Sequence, residues 1–180
     1  MSDNLRIPVL IIAGPVGVGK SSVASAVSEI FNDRSIPHAC IDLDYLRYAY
    51  PRPKDDPFYS KLGMRNLASV WKNYQEVGIG CLILPSVIEH RSELEDYRKA
   101  IPGADIFIVG LHAPIKEIQR RLRGRENGQS LKWHLKRAAE LSDIMKANRV
   151  GDVIIETSGK SIDAIAGLII NQWEQRGMPA

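Results

Sequence analysis

Residues 14–21 read Gly-Pro-Val-Gly-Val-Gly-Lys-Ser, which fits the phosphate-binding loop pattern G-x-x-x-x-G-K-[ST]. The glycines let the backbone fold into a tight concavity whose N–H groups point at phosphate oxygens, and a Cβ at Gly14 or Gly19 would obstruct it. Lys20 supplies an ammonium group for the β- and γ-phosphates, and the Ser21 hydroxyl offers a ligand to Mg²⁺. This stretch therefore predicts binding of a nucleoside triphosphate together with magnesium.

The segments on either side place this loop between a strand and a helix. Residues 7–13 form a continuous apolar run, as in a strand that is buried on both faces of a parallel sheet. Apolar residues then recur at helical spacing from Val23 to Phe31, and the helix is expected to end near residues 32–33. The glycine order differs from the G-x-G-x-x-G of dinucleotide folds, which disfavours a nicotinamide cofactor.

The rest of the chain alternates between strand-like and helix-like segments. Further strands are predicted at 38–42, 80–85, 105–111 and 152–156, and further helices at 43–49, 61–77, 91–99, 114–123, 131–146 and 161–175. Five strands that alternate with helices predict an α/β fold in which a parallel sheet lies between two helical layers. A length of 180 residues suits one nucleotide-binding domain that spans residues 1–180.

The composition is typical of a globular protein in a reducing compartment. Hydrophobic residues make up 44% of the chain, which is enough to fill a substantial core. Cys40 and Cys81 both lie in apolar runs, which predicts buried thiols and a cytoplasmic location. The net charge of +3 and the lack of a basic stripe disfavour nucleic acid as a partner. The apolar run at 7–13 is too short to span a membrane, so no membrane partner is expected.

The segment after the second predicted strand reads Asp42-Leu43-Asp44-Tyr45-Leu46-Arg47. Ligands of open α/β sheets bind beyond the carboxyl ends of the strands, so this segment is expected beside the phosphate loop. One carboxylate can order Mg²⁺ while the other accepts a proton from an attacking hydroxyl; we assign Asp42 to the metal and Asp44 to the acceptor. The alternative interpretation makes Asp44 the N-cap of the next helix and Asp42 a strand-end residue.

A basic segment at residues 120–130 is the predicted lid. It carries four arginines that lead into a loop containing glycine. If the helix persists to residue 125, Arg121 and Arg125 share a helical face, so both could reach the phosphoryl group during transfer, where negative charge builds up. The alternative is a solvated helix end whose positive charge favours the helix dipole.

Three further residues are candidates for the acceptor site. Arg65 and Asn66 follow a segment rich in proline and aspartate, and Arg91 follows the third predicted strand. The alternative for each of them is a role on a helix surface or at a helix start. With Asp44 and Arg47, these residues make up the predicted substrate-binding set.

Two large classes of phosphate-loop proteins do not fit the sequence. A GTPase switch would show Asp-x-x-Gly and Asn-Lys-x-Asp, and neither occurs in the chain. A motor or assembly ATPase usually ends its third strand with an acidic residue, whereas here Cys-Leu-Ile-Leu at 81–84 is followed by Pro85 and Ser86. The acidic residues follow the second strand instead, which favours a kinase.

This arrangement resembles the P-loop small-molecule kinases related to nucleoside monophosphate kinases, and adenylylsulfate kinase is nearest in pattern. That family ends its second strand with Asp-Gly-Asp-Asn-x-Arg, where this chain has residues 42–47. Gluconate, shikimate and chloramphenicol kinases resemble the chain less closely. The resemblance implies a three-layer α/β/α fold of the P-loop kinase type and an adenine site between Arg121 and the loop at 157–160. The alternative for that loop is an ordinary strand-to-helix turn with Ser161 as N-cap.

These patterns predict an ATP- and Mg²⁺-dependent kinase that transfers the γ-phosphoryl group to a hydroxyl of a small molecule, with adenylylsulfate or a related metabolite among the candidate acceptors. The alternatives are an ATPase or nucleotide-binding regulatory module without an acceptor, and a nucleic-acid end kinase. The predicted catalytic residues are Lys20, Asp44, Arg121 and Arg125, and the predicted metal ligands are Ser21 and Asp42. The predicted nucleotide-binding residues are Gly14, Pro15, Val16, Gly17, Val18, Gly19, Lys20, Ser21, Ser22, Arg121, Ser158, Gly159 and Lys160.

Overall fold

Five parallel strands form one sheet in the computed structural model, which describes residues 6–178. They are β1 (Ile7–Ala13), β2 (His38–Cys40), β3 (Cys81–Ser86), β4 (Ala104–His112) and β5 (Val153–Glu156). The spatial order is β2-β3-β1-β4-β5, and every neighbouring pair runs parallel. The five-stranded parallel sheet that the sequence predicts is confirmed.

Strand β1 lies at the centre of the sheet because it is apolar on both faces. Residues 9–13 are fully buried, as expected for a strand covered by helices on both sides. Ala13 lies opposite Ser86 of β3 and Gly110 of β4, so the three strands reach the same edge together. The loop that follows β1 therefore emerges at the carboxyl edge of the sheet, between two neighbouring strands.

Helices cover both faces of the sheet. On one face, Phe31 and Trp173 lie in a buried cluster with apolar side chains of β1 and β4. On the other face, Trp71 and Tyr97 lie in a second buried cluster with other apolar side chains of the same two strands. The α-helices within residues 6–178 are α1 (Lys20–Asp33), α2 (Leu43–Leu46), α3 (Ser60–Glu76), α4 (Leu94–Ala100), α5 (Ile115–Arg123), α6 (Gly128–Ala147) and α7 (Ile162–Gln175). None of them is long and apolar enough to cross a membrane.

Three details differ from the sequence-based expectation. Helix α2 ends at Leu46, earlier than the predicted end at residue 49, and a 3₁₀ turn at Arg91–Glu93 precedes α4. Of the two cysteines, Cys81 is buried but Cys40 is exposed, so the prediction of two buried thiols is wrong for Cys40. The reason is that β2 is an edge strand with only one neighbour, which leaves part of it open to solvent.

Candidate active site

The phosphate loop connects β1 to α1, and its glycines have the positions that the pattern requires. Gly17 and Gly19 have φ angles of 84° and 111°, a backbone region that other residues rarely adopt. A Cβ on Gly14 would lie 2.7 Å from Cγ1 of Val18, so only glycine fits there. Gly19 is also the N-cap of α1 and no side chain caps this helix end, which leaves the positive end of the helix dipole facing the loop.

Ser21 and Asp42 are joined directly across the carboxyl edge of the sheet. The Ser21 hydroxyl donates to Oδ2 of Asp42 at 2.7 Å, and the backbone N–H of Asp44 donates to Oδ1 of the same carboxylate at 3.0 Å. Asp42 is therefore the N-cap of α2. The alternative interpretation that made Asp44 the cap is wrong, because β2 ends at Cys40 and the helix begins one residue after Asp42.

Asp44 has a carboxylate that is 75% exposed, and its one described ionic contact is Nε of Arg47 at 3.5 Å. Arg47 also donates from Nε to the Leu43 carbonyl at 3.2 Å, so its guanidinium is anchored to α2. The Asp44 carboxylate is thus largely open to solvent, while each oxygen of the Asp42 carboxylate accepts a hydrogen bond.

Four charged side chains from two segments, residues 42–47 and the link between α5 and α6, act on the amine of Lys20. Burial lowers the pKa of Lys20 to about 8, while Asp44 and then Asp42 act in the opposite direction and Arg125 and Arg47 act with burial. The Nζ of Lys20 donates to the Pro15 carbonyl at 3.2 Å. The structure therefore brings the predicted lysine, both carboxylates and one lid arginine to one place.

We expect the affinity for ATP to fall as the pH rises above about 8. The pKa of Lys20 is lowered to about 8, so the free protein loses its ammonium charge above that pH and must take up a proton to bind phosphate. By proton linkage, the dissociation constant should rise by up to about tenfold per pH unit in that range. Calorimetry near pH 9 in two buffers with different ionisation enthalpies measures the uptake, with titrations near pH 7 as the control. An affinity that stays constant with no proton uptake would contradict this prediction.

Arg121 lies against the phosphate loop. Its Nη1 donates to the Val18 carbonyl at 2.8 Å, and its Nη2 donates to Oε1 of Glu117 at 2.5 Å. The other oxygen of Glu117 accepts from the Ser158 hydroxyl at 2.6 Å. These contacts link the end of α5, the phosphate loop and the loop after β5, which are the segments between which the sequence predicts adenine.

The loop after β5 is also an ordinary helix entry. Ser161 caps α7 by accepting from the backbone N–H of Ala164 at 3.2 Å, as the alternative interpretation expected. Gly159 has a φ of 69° and Lys160 closes the turn through its N–H to the Thr157 carbonyl at 3.2 Å. The turn and the contact of Ser158 with α5 coexist, so the capping role does not displace the predicted nucleotide role.

Arg125 lies in the short link between α5 and α6, and its side chain is 62% exposed. Its Nε donates to Oε1 of Glu126 at 3.1 Å, and the Ser130 hydroxyl donates to the other oxygen of Glu126 at 2.6 Å. The charge of Arg125 contributes to the lowered pKa of Lys20. Because α5 ends at Arg123, Arg121 and Arg125 do not share one continuous helical face. The lid at residues 120–130 stays a prediction.

A cavity of about 690 Å³ opens beside Arg47, between α3 and the segment that follows β3. Arg65 lines it, and its guanidinium has no hydrogen-bond or ionic partner among the described residues. Apolar atoms come from Met64 and Val87, among others, and Tyr97 closes one side with its hydroxyl bonded to Ser86 at 2.7 Å. The cavity therefore combines this unpaired cation with apolar surface and with further charged side chains of both signs, which include Glu93, Asp96 and Lys99.

Two predicted substrate residues have partners within the protein instead. The Asn66 amide donates to the Leu46 carbonyl at 2.7 Å and so fastens α3 to the end of α2. Arg91 donates to the Val150 carbonyl at 2.9 Å and to Asp152 at 2.7 Å, which ties it to the segment before β5. The structure does not bring Arg91 into the cluster around Lys20, because these two contacts hold its guanidinium near the start of β5.

Sequence reasoning missed an ion pair that joins α6 to the segment after β3. Arg137 of α6 pairs with Glu89 from the segment after β3, and its guanidinium lies 5.7 Å from the ring centre of Phe58. Only 19% of the Arg137 side chain is exposed. Arg137 lies within α6 and belongs to no sequence motif, so the sequence gave no signal by which to recognise it.

Comparisons with protein-family models and with curated proteins find no match to this sequence. Solved structures do match over nearly the whole chain. The tunicamycin resistance protein of Deinococcus radiodurans is 20% identical, with 97% of this chain and 98% of that chain covered and a TM-score of 0.64. The APS kinase of Mycobacterium tuberculosis, solved with AMPPNP and APS, is 22% identical, with 94% and 98% covered and a TM-score of 0.61. The shikimate kinase of Acinetobacter baumannii, solved with shikimate, is 16% identical, with 97% of each chain covered and a TM-score of 0.58. This chain therefore has the fold of the P-loop small-molecule kinases, as the motifs in its sequence predicted.

Proposed function

We propose that the protein is an ATP- and Mg²⁺-dependent kinase that transfers the γ-phosphoryl group to a hydroxyl of a small molecule. The observation that carries this proposal is the cluster of Lys20, Ser21, Asp42 and Asp44 at the carboxyl edge of the sheet, with a cavity next to it. The fold shared with solved small-molecule kinases supports the same reaction class. Phosphoryl transfer depends mainly on positioning and charge stabilisation, and this cluster offers both.

Ser21 and Asp42 fit a magnesium site. A hydroxyl oxygen and a carboxylate oxygen already lie 2.7 Å apart, and both are the hard oxygen donors that Mg²⁺ prefers. When bound with ATP, the ion would neutralise charge on the β- and γ-phosphates. Asp42 is fixed for this role by the N–H of Asp44, which orients its carboxylate independently of any ligand.

Asp44 is the residue that accepts the proton from the acceptor. Its carboxylate is open to solvent, whereas both oxygens of Asp42 are occupied. The acceptor hydroxyl gives its proton to Asp44, its oxygen forms a bond to the γ-phosphorus, and the bond from that phosphorus to the β–γ bridging oxygen breaks, leaving ADP. Lys20 and Arg125 lie where the charge on the transferred group develops.

The acceptor occupies the cavity beside Arg47. A volume of about 690 Å³ suits a metabolite or a nucleotide-sized compound. The unpaired guanidinium of Arg65 favours an acceptor with an anionic group, since a charge-assisted hydrogen bond to it would replace water. Adenylylsulfate meets these conditions and is the first compound to test.

We expect Arg65→Ala to weaken acceptor binding and to leave ATP binding unchanged. Loss of one charge-assisted hydrogen bond, worth about 1.5–3 kcal/mol, should raise the KM for the acceptor by roughly ten- to a hundredfold. Lys72→Ala on the same helix is the matched control, because Lys72 is exposed and does not line the cavity. Steady-state kinetics with each substrate varied in turn measures both effects. An unchanged acceptor KM in Arg65→Ala would place the acceptor elsewhere.

The experiment that tests the proposed function is a screen with γ-labelled ATP against metabolite pools. The pools include adenylylsulfate, sugar acids, nucleosides and phenicol- or aminoglycoside-type antibiotics. One labelled product that depends on the protein and on Mg²⁺ is the expected result. Slow release of labelled inorganic phosphate that no pool stimulates would instead support an ATPase or regulatory module.

A further inference from the structure

We propose that Glu117 is a positioning residue for the phosphate loop. It holds Arg121 so that the guanidinium fixes the Val18 carbonyl, and this in turn aims the N–H of Gly19 at the nucleotide phosphates. The inference rests on the proposed function only in requiring that residues 14–21 bind a nucleoside triphosphate. It assigns Glu117 a role that lies outside the phosphate-loop motif.

Both oxygens of the Glu117 carboxylate are used within the protein. Oε1 accepts from Nη2 of Arg121 at 2.5 Å, and Oε2 accepts from the Ser158 hydroxyl at 2.6 Å. The Ser158 hydroxyl and the Arg121 guanidinium together lower the pKa of Glu117, so its carboxylate stays charged at neutral pH. Glu117 thus restrains the guanidinium of Arg121, and the Ser158 hydroxyl of the loop after β5 in turn holds the Glu117 carboxylate in place.

The other end of Arg121 fixes a peptide group of the phosphate loop. Nη1 of Arg121 donates to the Val18 carbonyl at 2.8 Å. This carbonyl and the N–H of Gly19 belong to one planar trans peptide, so they point in opposite directions. The N–H of Gly19 makes no hydrogen bond within residues 6–178, and an added Cβ on Gly19 would meet open space. Holding the Val18 carbonyl therefore also fixes the direction of the Gly19 N–H, which stays available to a phosphate oxygen.

Apolar residues of α5 pack closely against the phosphate loop, so the position of the helix does not depend on Glu117. A Cβ on Gly17 would lie 2.7 Å from Cγ of Leu122 and 3.2 Å from Cγ2 of Ile118. These apolar contacts position α5 whether or not Glu117 is charged. Loss of the Glu117 charge should therefore release the Arg121 side chain without moving the helix, and its effect should appear in phosphate binding and not in stability.

The test compares the binding of Mg·ATP with that of inorganic tripolyphosphate, which has no base or sugar. Glu117→Gln keeps the shape of the side chain and removes its charge. Calorimetry should show that both ligands bind about tenfold more weakly, which corresponds to about 1.4 kcal/mol. Arg121→Gln should give a similar loss for both, and the double variant should be no weaker than Arg121→Gln, since the two residues act in series. Glu95→Gln is the control, because Glu95 forms a comparable but exposed pair with Arg98 on α4.

Each outcome decides the question. If Glu117→Gln weakens Mg·ATP but leaves tripolyphosphate unchanged, Glu117 acts at the nucleoside end and the inference is overturned. Unchanged binding of both ligands, or losses in the two single variants that simply add, would also overturn it. If the wild-type protein binds neither ligand, the proposed function itself fails. Should Glu117→Gln not fold, Arg121→Gln still reports on tripolyphosphate, and full binding by that variant would refute the inference.

Discussion

Replacing Lys20 by methionine is expected to abolish phosphoryl transfer while the protein remains folded. The amine is the one cation that the phosphate-loop pattern supplies for the β- and γ-phosphates, and removing such a charge costs about a hundred- to a thousandfold or more in kcat. Burial disfavours the charged form of Lys20, as its pKa of about 8 indicates. An apolar side chain of similar length should therefore not lower the free energy of unfolding.

Thermal unfolding and a γ-labelled ATP assay measure the two parts of this prediction. Lys72→Met is a matched control, because that lysine is exposed on α3 and far along the chain from the loop. Lys20→Met with full transfer activity would refute the assignment of residues 14–21 as the phosphate site. A loss of activity together with unfolding would instead mean that Lys20 supports the fold.

Replacing Asp44 by asparagine is expected to reduce transfer far more than ATP binding. Asparagine keeps the size of the side chain but cannot accept the acceptor proton, and general-base catalysis contributes about a hundred- to ten-thousandfold. The N-cap of α2 is unaffected because Asp42 supplies it and Asp44 contributes only its backbone N–H. The fold and the magnesium ligands should therefore be retained.

The kinetic constants for both substrates, with the affinity for Mg·ATP, measure this prediction. Asp55→Asn is the control, since Asp55 is 80% exposed and has only a loose contact with Lys61 at 3.8 Å. A transfer rate for Asp44→Asn equal to that of the control would remove Asp44 from the mechanism. A loss that appears only in ATP affinity would assign Asp44 to the nucleotide instead of the acceptor.

The parts of the fold that follow from local patterns could be predicted from the sequence. The apolar run at 7–13 is typical of a strand covered on both faces, and the glycines at 17 and 19 permit the positive φ angles that the phosphate loop needs. Together they predict a buried strand, the loop that follows it and the position of Lys20 at the start of the next helix. The spatial order of the strands was not predicted, because periodicity within a segment says nothing about its neighbours.

The contacts that depend on tertiary structure could not be predicted. Whether Asp42 or Asp44 caps α2 depends on where β2 ends, and a difference of two residues reverses the assignment. Ser158, which donates to Glu117, lies 41 residues from it along the chain, and Glu89, which pairs with Arg137, lies 48 residues from it. Arg91 was predicted to bind substrate because the sequence does not reveal its partners. Those partners, Val150 and Asp152, come next to it only when the sheet folds.

The most direct test of the central claim is the fate of the γ-phosphoryl group of ATP when the acceptor from the screen is supplied. The account predicts that the label appears on a hydroxyl of the acceptor, one for each ADP formed, and that Lys20→Met and Asp44→Asn both lose this product. Label that appears only as inorganic phosphate, at a rate independent of any small molecule, would contradict it.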